Sequence, residues 1–195
     1  MGSLYVVATP IGNLEDVTLR ALRVLREAHA IYAEDTRRTR TLLAHHGIAA
    51  RPRSLHAHNE AGRTAEVLAR LAAGEHVALV SDAGTPLISD PGERLVEAVR
   101  EAGHGVVAIP GASALLAALV ASGLPAQPFT FLGFPSRKAG LRRRLFAALA
   151  ARSETLVFFE SPRRLAATLG ELAHALGEAR PACVARELTK LHEEV

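Results

Sequence analysis

Short apolar runs alternate along the chain with longer stretches in which apolar side chains recur every three or four positions. The runs at 4–9, 30–34, 76–80 and 106–109 predict strands, and a weaker one at 53–57 a further strand. Between them, 18–28 carries Leu19, Leu22 and Leu25 on one helical face, and 64–73 carries Val67, Leu68 and Leu71. Helices are also predicted over 36–46 and 112–121, and Gly47 and Gly74 follow helical segments as C-terminal caps. Asp90-Pro91 pairs a capping residue with a proline suited to the first helical position, which predicts a helix from there to 102. After a glycine- and proline-rich break at 123–128 the alternation resumes, with strands at 129–133, 155–160 and 182–187 and helices at 141–151 and 161–176. Such alternation predicts an α/β fold with mostly parallel sheets. The wholly apolar 77–80 and 106–109 suit the centre of a sheet covered on both faces. The break predicts two α/β domains, residues 1–122 and 123–195.

Composition then removes several classes of function. With 49% hydrophobic and 22% charged residues in 195, the chain is globular rather than disordered or a simple coiled coil. Cys183 is the single cysteine, which excludes a disulfide framework and a multi-cysteine metal site and fits a reducing, cytoplasmic location. No basic segment precedes the first apolar run, so no signal peptide is read. Residues 105–136 carry no charge, yet Pro110-Gly111 and Gly123-Leu124-Pro125 interrupt them. The dozen or so residues between these breaks are too few to cross about 30 Å of hydrocarbon, which predicts a buried helix and no membrane span. The net charge is only +3, so any polyanion must be held by local clusters of the 21 arginines and 2 lysines.

In open α/β sheets ligands gather at the carboxyl ends of the strands. The loops there are Thr9-Pro10-Ile11-Gly12-Asn13, Glu34-Asp35-Thr36-Arg37, His56-Ala57-His58-Asn59-Glu60, Ser81-Asp82-Ala83-Gly84-Thr85-Pro86 and Pro110-Gly111-Ala112-Ser113-Ala114. Each taken singly reads more readily as a turn or a helix cap than as a ligand contact. There is no G-x-G-x-x-G fingerprint, no Walker A lysine loop and no G-x-S-x-G turn at Ser81. The pairs His45/His46 and His56/His58 lack the companions of a zinc site, and no metal is expected.

Taken together, these loops make a pattern. Leu4-Tyr5-Val6-Val7-Ala8-Thr9-Pro10-Ile11-Gly12-Asn13-Leu14-Glu15-Asp16, Glu34-Asp35-Thr36-Arg37, His58-Asn59-Glu60, Ser81-Asp82-Ala83-Gly84-Thr85-Pro86, Ile109-Pro110-Gly111-Ala112-Ser113-Ala114, Phe158-Phe159-Glu160-Ser161-Pro162-Arg163-Arg164 and Ala185-Arg186-Glu187-Leu188-Thr189-Lys190 resemble, in order, the bacterial small-subunit (16S) rRNA cytidine ribose 2′-O-methyltransferases. That family is similar in fold to the tetrapyrrole methylases. The resemblance implies a two-domain enzyme that uses S-adenosylmethionine held between its domains, acts on the small ribosomal subunit and forms a homodimer. The Thr9-Pro10-Ile11-Gly12-Asn13 loop departs from the glycine-rich opening loop of the tetrapyrrole enzymes, which favours the rRNA branch. Family members continue past the last block, so the second domain is expected to be incomplete.

On this resemblance, Pro10, Asp82, Gly84, Thr85, Ser113 and Ala114 are assigned to the cofactor. A ribose hydroxyl is a weak nucleophile, so side chains that orient it or accept its proton aid transfer. Asp35, Asn59 and Glu60 are the leading candidates, with Glu34, Glu160 and Glu187 beside them, and Lys190 would lower the hydroxyl's pKa. Arg37, Arg38 and Arg40, and in the second domain Lys138, Arg142, Arg143 and Arg144, are expected to hold RNA phosphates. Two other readings stay open: a tetrapyrrole or other small-molecule methyltransferase of the same fold, and a nucleotide-binding module without chemistry.

Overall fold

The computed structural model describes residues 2–56 and 59–195. Ala57 and His58, part of the expected site loop, lie outside the described residues. The chain divides into two compact units. One holds the described residues up to Ala114 with Leu188–Leu191; the other holds Leu115–Glu187 and His192–Val195. The expected boundary lay at 122/123, at the proline- and glycine-rich break rather than ahead of the helix before it.

The first unit is a five-stranded parallel sheet in the order β3-β2-β4-β1-β5. Its strands are β1 (Ser3–Val7), β2 (Ala30–Ala33), β3 (Arg53–Ser54), β4 (Val77–Val80) and β5 (Gly105–Ile109). They alternate with α1 (Leu19–Glu27), α2 (Thr36–His45), α3 (Glu60–Ala72) and α4 (Glu93–Glu101). Period-two alternation sorts the side chains. Val7, Ile31, Ala33, Ala78 and Val80 pack with Leu22 and Leu25 of α1 and Leu43 of α2 on one face. Leu4, Val6, Tyr32, Val77 and Leu79 pack with Val67 and Leu71 of α3 and Leu95 and Val99 of α4 on the other. A fully buried leucine such as Leu71 stabilises by about 1.5–3 kcal/mol relative to exposure. Covered faces explain why β4 reads as unbroken Val-Ala-Leu-Val.

Register fixes where the chemistry can sit. Val7 pairs with both Val80 and Ile109, and Ala33 with Val80. The strand ends are therefore level, and the loops that follow them emerge along one edge. Two local devices aim those loops: Thr18 accepts from the Ala21 N–H at 3.1 Å to start α1, and Asp35 accepts from the Arg37 N–H at 2.9 Å to start α2.

α5 (Ala114–Ala121), in the second unit from Leu115 on, leads to β6 (Phe129–Phe131), α6 (Ala139–Ala148), β7 (Thr155–Val157) and α7 (Leu165–Leu176). β6 and β7 pair in parallel. Its core is aromatic: Phe146 meets Phe158, and Phe131 meets Phe159, both edge-on with centroids 5.7 and 4.9 Å apart.

Three expectations are corrected. Asp90-Pro91 does not open α4, which begins at Glu93 behind Gly92 at φ 124°. A Cβ at Gly92 would lie 2.9 Å from both Leu79 and Leu87, so close packing rather than a side-chain cap ends this loop. α3 starts at Glu60 rather than 64, which absorbs the end of the His56–Glu60 loop into the helix. The expected strand at 182–187 does not form. Among the described residues it contributes a single bridge, Arg186 to Glu194, with no ladder partner to sustain a strand.

Candidate active site

Two cavities open at the carboxyl edge of the first unit's sheet. The larger, about 300 Å³, is lined by Thr9, Pro10 and Gly12 after β1, Arg38 of α2, Asp82 after β4 and Lys190. Its floor is knitted by backbone and hydroxyl bonds. The Thr9 N–H donates to the Gly84 carbonyl at 2.8 Å, and the Gly84 N–H returns to the Thr9 carbonyl at 2.9 Å. Thr9 Oγ1 donates to the Ser81 carbonyl and Ser81 Oγ to the Gly84 carbonyl. Gly84 needs its φ of 82° for this turn.

The segment Leu188–Leu191 comes back to this edge. Thr189 Oγ1 accepts from the Asn13 N–H at 3.0 Å. A Cβ on Gly12 would sit 2.5 Å from Lys190 Cγ and 2.8 Å from Thr189 Oγ1. Glu187 and Thr189 occupy the left-handed region at φ 50° and 68°, a conformation that side chains other than glycine's seldom adopt.

Asp82 organises the edge. Its Oδ1 accepts the Asp35 N–H at 2.8 Å, and Arg38 Nε stands 3.9 Å from Oδ2. Asp35 itself accepts from Arg37 through both oxygens, and those hydrogen bonds hold its pKa down at about 2. That makes Asp35 a helix cap and an ion-pair partner, and a poor proton acceptor. Asn59 is also engaged structurally: its side chain accepts the His56 N–H at 2.8 Å and donates to the Ser54 carbonyl at 3.2 Å.

The second cavity, about 260 Å³, is acidic: Glu34, Glu60, Asp90 and Glu93 line it, with Arg94. Burial and then the charges of Glu34 and Asp82 push the Asp90 carboxyl up to about 6. Burial first, then Asp82, also raises Glu34. Glu60 is 8% exposed, and its Oε1 has no hydrogen-bond partner among the described residues.

Of the residues expected at a cofactor, Pro10 and Asp82 line the larger cavity. Gly84 shapes its floor through Thr9, Thr85 donates to the Ala112 carbonyl at 3.4 Å, and Ser113 and Ala114 lie outside its lining. Of those expected at RNA, Arg38 lines that cavity, Arg37 is tied to Asp35 and Arg40 is exposed. In the second unit Lys138, Arg143 and Arg144 are all exposed. Arg142 is not a surface cation. It is 9% exposed and donates twice to Glu171, at 2.8 and 2.6 Å, and to the Ser136 carbonyl. Only one of three consecutive helical residues faces the neighbouring helix, and α7 supplies the carboxylate that accepts this one. Glu160 is likewise structural. Burial raises it, but bonds from Thr168, the Ser161 N–H and Arg164 outweigh burial and hold it below the usual carboxylate range. Asp90 and Arg94 escaped the sequence reading because Asp90-Pro91 satisfies the pattern of a helix start. Among the described residues no group of three side chains could hold a metal ion.

Level parallel strands, a cavity of about 300 Å³ over the β1 and β4 loops and a carboxylate in its lining define a class: a small-molecule-binding protein with its site at the edge of an open α/β sheet. The chain belongs to the tetrapyrrole (corrin/porphyrin) methylases, whose family model matches residues 3–195. It is a methyltransferase that takes its methyl group from S-adenosylmethionine. Among curated relatives it is 54% identical to Ribosomal RNA small subunit methyltransferase I of Synechocystis over its whole length, covering 70% of that protein. It is 50% identical to the protein of the same name from Escherichia coli O157:H7, covering 68% of it. In Mesorhizobium japonicum the figures are 53% and 66%. The chain thus spans about two thirds of these relatives' length. A solved uroporphyrin-III-C-methyltransferase from Thermus thermophilus superposes with a TM-score of 0.63 at 28% identity, over 93% of this chain and 76% of that one. A cobalt precorrin-4 methyltransferase shares the fold at TM-score 0.74 and 20% identity, over 98% of this chain and 83% of the other.

The larger cavity fits that methyl donor. The Asp82 carboxylate suits a cationic sulfonium or ammonium group, and Ile11, Leu14 and Leu42 give it an apolar wall.

Proposed function

We propose that this chain methylates the ribose 2′-hydroxyl of a cytidine in small-subunit (16S) rRNA. The observation that carries the reading is the pairing of the donor-sized, carboxylate-bearing cavity with cations on the same edge, Arg38 and Lys190, beside exposed Arg40. Phosphates are held by such local cations even when net charge is small. The relatives' shared name supplies the substrate class.

S-adenosylmethionine, when bound, supplies an electrophilic methyl group. The protein's part is then to position the hydroxyl and accept its proton. Pro10 and Asp82 contact the donor in this reading, and the turns at Gly84, Thr85, Ser113 and Ala114 shape its surroundings. Lys190, at the cavity wall, lowers the pKa of the hydroxyl. Glu34 is a better proton acceptor than Asp35, because burial raises the one while Arg37 depresses the other. Asp35 and Asn59 serve as positioning residues. Arg37, Arg38 and Arg40, with Lys138, Arg143 and Arg144, track phosphates. In the second unit α5 is apolar on every side, with Leu116 51% and Val120 77% exposed, which supports a homodimer through this helix. A ribosomal substrate implies a cytoplasmic protein, and among the described residues no helix is long and apolar enough to cross a membrane.

The test is transfer of tritiated methyl from S-adenosylmethionine to 30S particles, followed by alkaline hydrolysis. Label in an alkali-resistant dinucleotide beginning with cytidine is the expected product. Label in a base, or none, refutes the reading. A monomer mass by light scattering at micromolar concentration refutes the dimer.

A further inference from the structure

We propose that the acidic cavity lined by Glu34, Glu60 and Asp90 receives the target base and selects cytosine through its exocyclic amino group. This rests on the cytidine reading above. Two independent observations support it. Glu60 lines the cavity, is more than nine-tenths buried and keeps Oε1 without a partner among the described residues. Buried carboxylate oxygens are normally satisfied, and leaving one unsatisfied is costly, so Oε1 is open to a donor that the described residues do not supply. The second observation is position. Glu34 follows β2 and Asp82 follows β4, and the last residues of those strands, Ala33 and Val80, are paired. Asp82 lines the methyl-donor cavity, while its charge acts on both Glu34 and Asp90 of the acidic one. The two cavities are neighbours on one edge, so a nucleotide with its base in the acidic cavity presents its ribose toward the donor.

The chemistry separates the pyrimidines. Cytosine offers an amino donor where uracil offers a carbonyl acceptor, and an acidic side chain accepting from the cytosine amine is a standard match. Uracil places a carbonyl acceptor where cytosine places its amino donor, and at that position repels a carboxylate. Asp90, with its carboxyl lifted to about 6, is in part protonated near neutrality and donates to the ring nitrogen or carbonyl of cytosine. Arg94 adds a donor to the same lining. The volume, about 260 Å³, leaves room for one pyrimidine ring.

The experiment compares methyl transfer to 30S particles carrying cytidine or uridine at the mapped target position. The parent protein is expected to prefer cytidine by roughly ten- to a hundredfold in kcat/KM, as one good base contact gives. Glu60→Gln and Asp90→Asn substitute amides, which both donate and accept, and each should reduce that preference several-fold. S-adenosylmethionine affinity, read by calorimetry, should stay unchanged. If Glu60→Gln melts below the assay temperature, Asp90→Asn carries the comparison. Variants that keep the full preference, or that lose both substrates equally with donor affinity intact, overturn the base pocket while leaving the rRNA reading standing. A parent that labels neither particle refutes the rRNA reading, and the proposal falls with it.

Discussion

Replacing Asp90 by asparagine should stabilise the protein at alkaline pH and have no such effect in acid. The Asp90 carboxyl is lifted from 3.8 to about 6, first by burial and then by the neighbouring charges of Glu34 and Asp82. Each tenfold change in a proton's binding constant corresponds to about 1.4 kcal/mol between the two protonation states. The ionised form is therefore disfavoured in the folded protein by up to about 3 kcal/mol, and screening by solvent at this open cavity reduces that to about 1–2 kcal/mol. Between the two pKa values the folded state binds more protons than the unfolded one, so stability falls as pH rises through that window. The destabilisation is absent below about 3.8 and complete above about 6. Asparagine never ionises. Urea unfolding at pH 4 and pH 8 should thus show the variant about 1–2 kcal/mol more stable than the parent at pH 8, with the difference closing toward zero at pH 4. A gain that is equal at both pH values, or a loss at pH 8, would refute the electrostatic account of this cavity.

Further outcomes follow from the same geometry. Arg142→Gln should lower the thermal midpoint clearly, because it leaves Glu171 unpaired between α6 and α7. Arg143→Gln with Arg144→Gln should stay within about 0.5 kcal/mol of the parent, yet flatten the salt dependence of log affinity for 30S particles by up to about 2 units of slope. Asp82→Ala should weaken S-adenosylmethionine binding by about tenfold or more in calorimetry, the scale of a hydrogen bond to a charged group. An unchanged affinity would place the donor elsewhere. Gly12→Ala should also reduce donor affinity, since its Cβ cannot coexist with Lys190 and Thr189 where they now stand; calorimetry reads the loss.

Much of the first unit was legible in the sequence because its signals are local. A wholly apolar β4 and the spacing of Val67, Leu68 and Leu71 are statements about burial, and burial is what the sheet and its helices enforce. The loops at Pro10 and Asp82 were legible because a polar stop after a buried strand must lie at a sheet edge. Partnering was not. Arg142, Arg143 and Arg144 are identical letters, and only the approach of Glu171 from another helix decides which one is buried. Asp90-Pro91 carries a valid helix-start pattern, but Gly92, packed against Leu79 and Leu87 at a φ of 124°, is not helical, and α4 starts after it at Glu93. The acidic cavity brings together residues from 34 to 94, each ordinary in its own segment, and proximity of that kind has no periodicity to read.

The return of Leu188–Leu191 to the first unit has a consequence for synthesis on the ribosome. The first unit's sheet is complete once β5 has emerged at Ile109, but the Gly12 loop lacks its neighbours until Lys190 appears. Translation at about 5–20 residues per second separates those events by several seconds. During that interval the five-stranded sheet is present while one wall of its ligand cavity is still to be made. A nascent chain would accordingly carry every strand of the sheet well before the Lys190 side of that cavity exists.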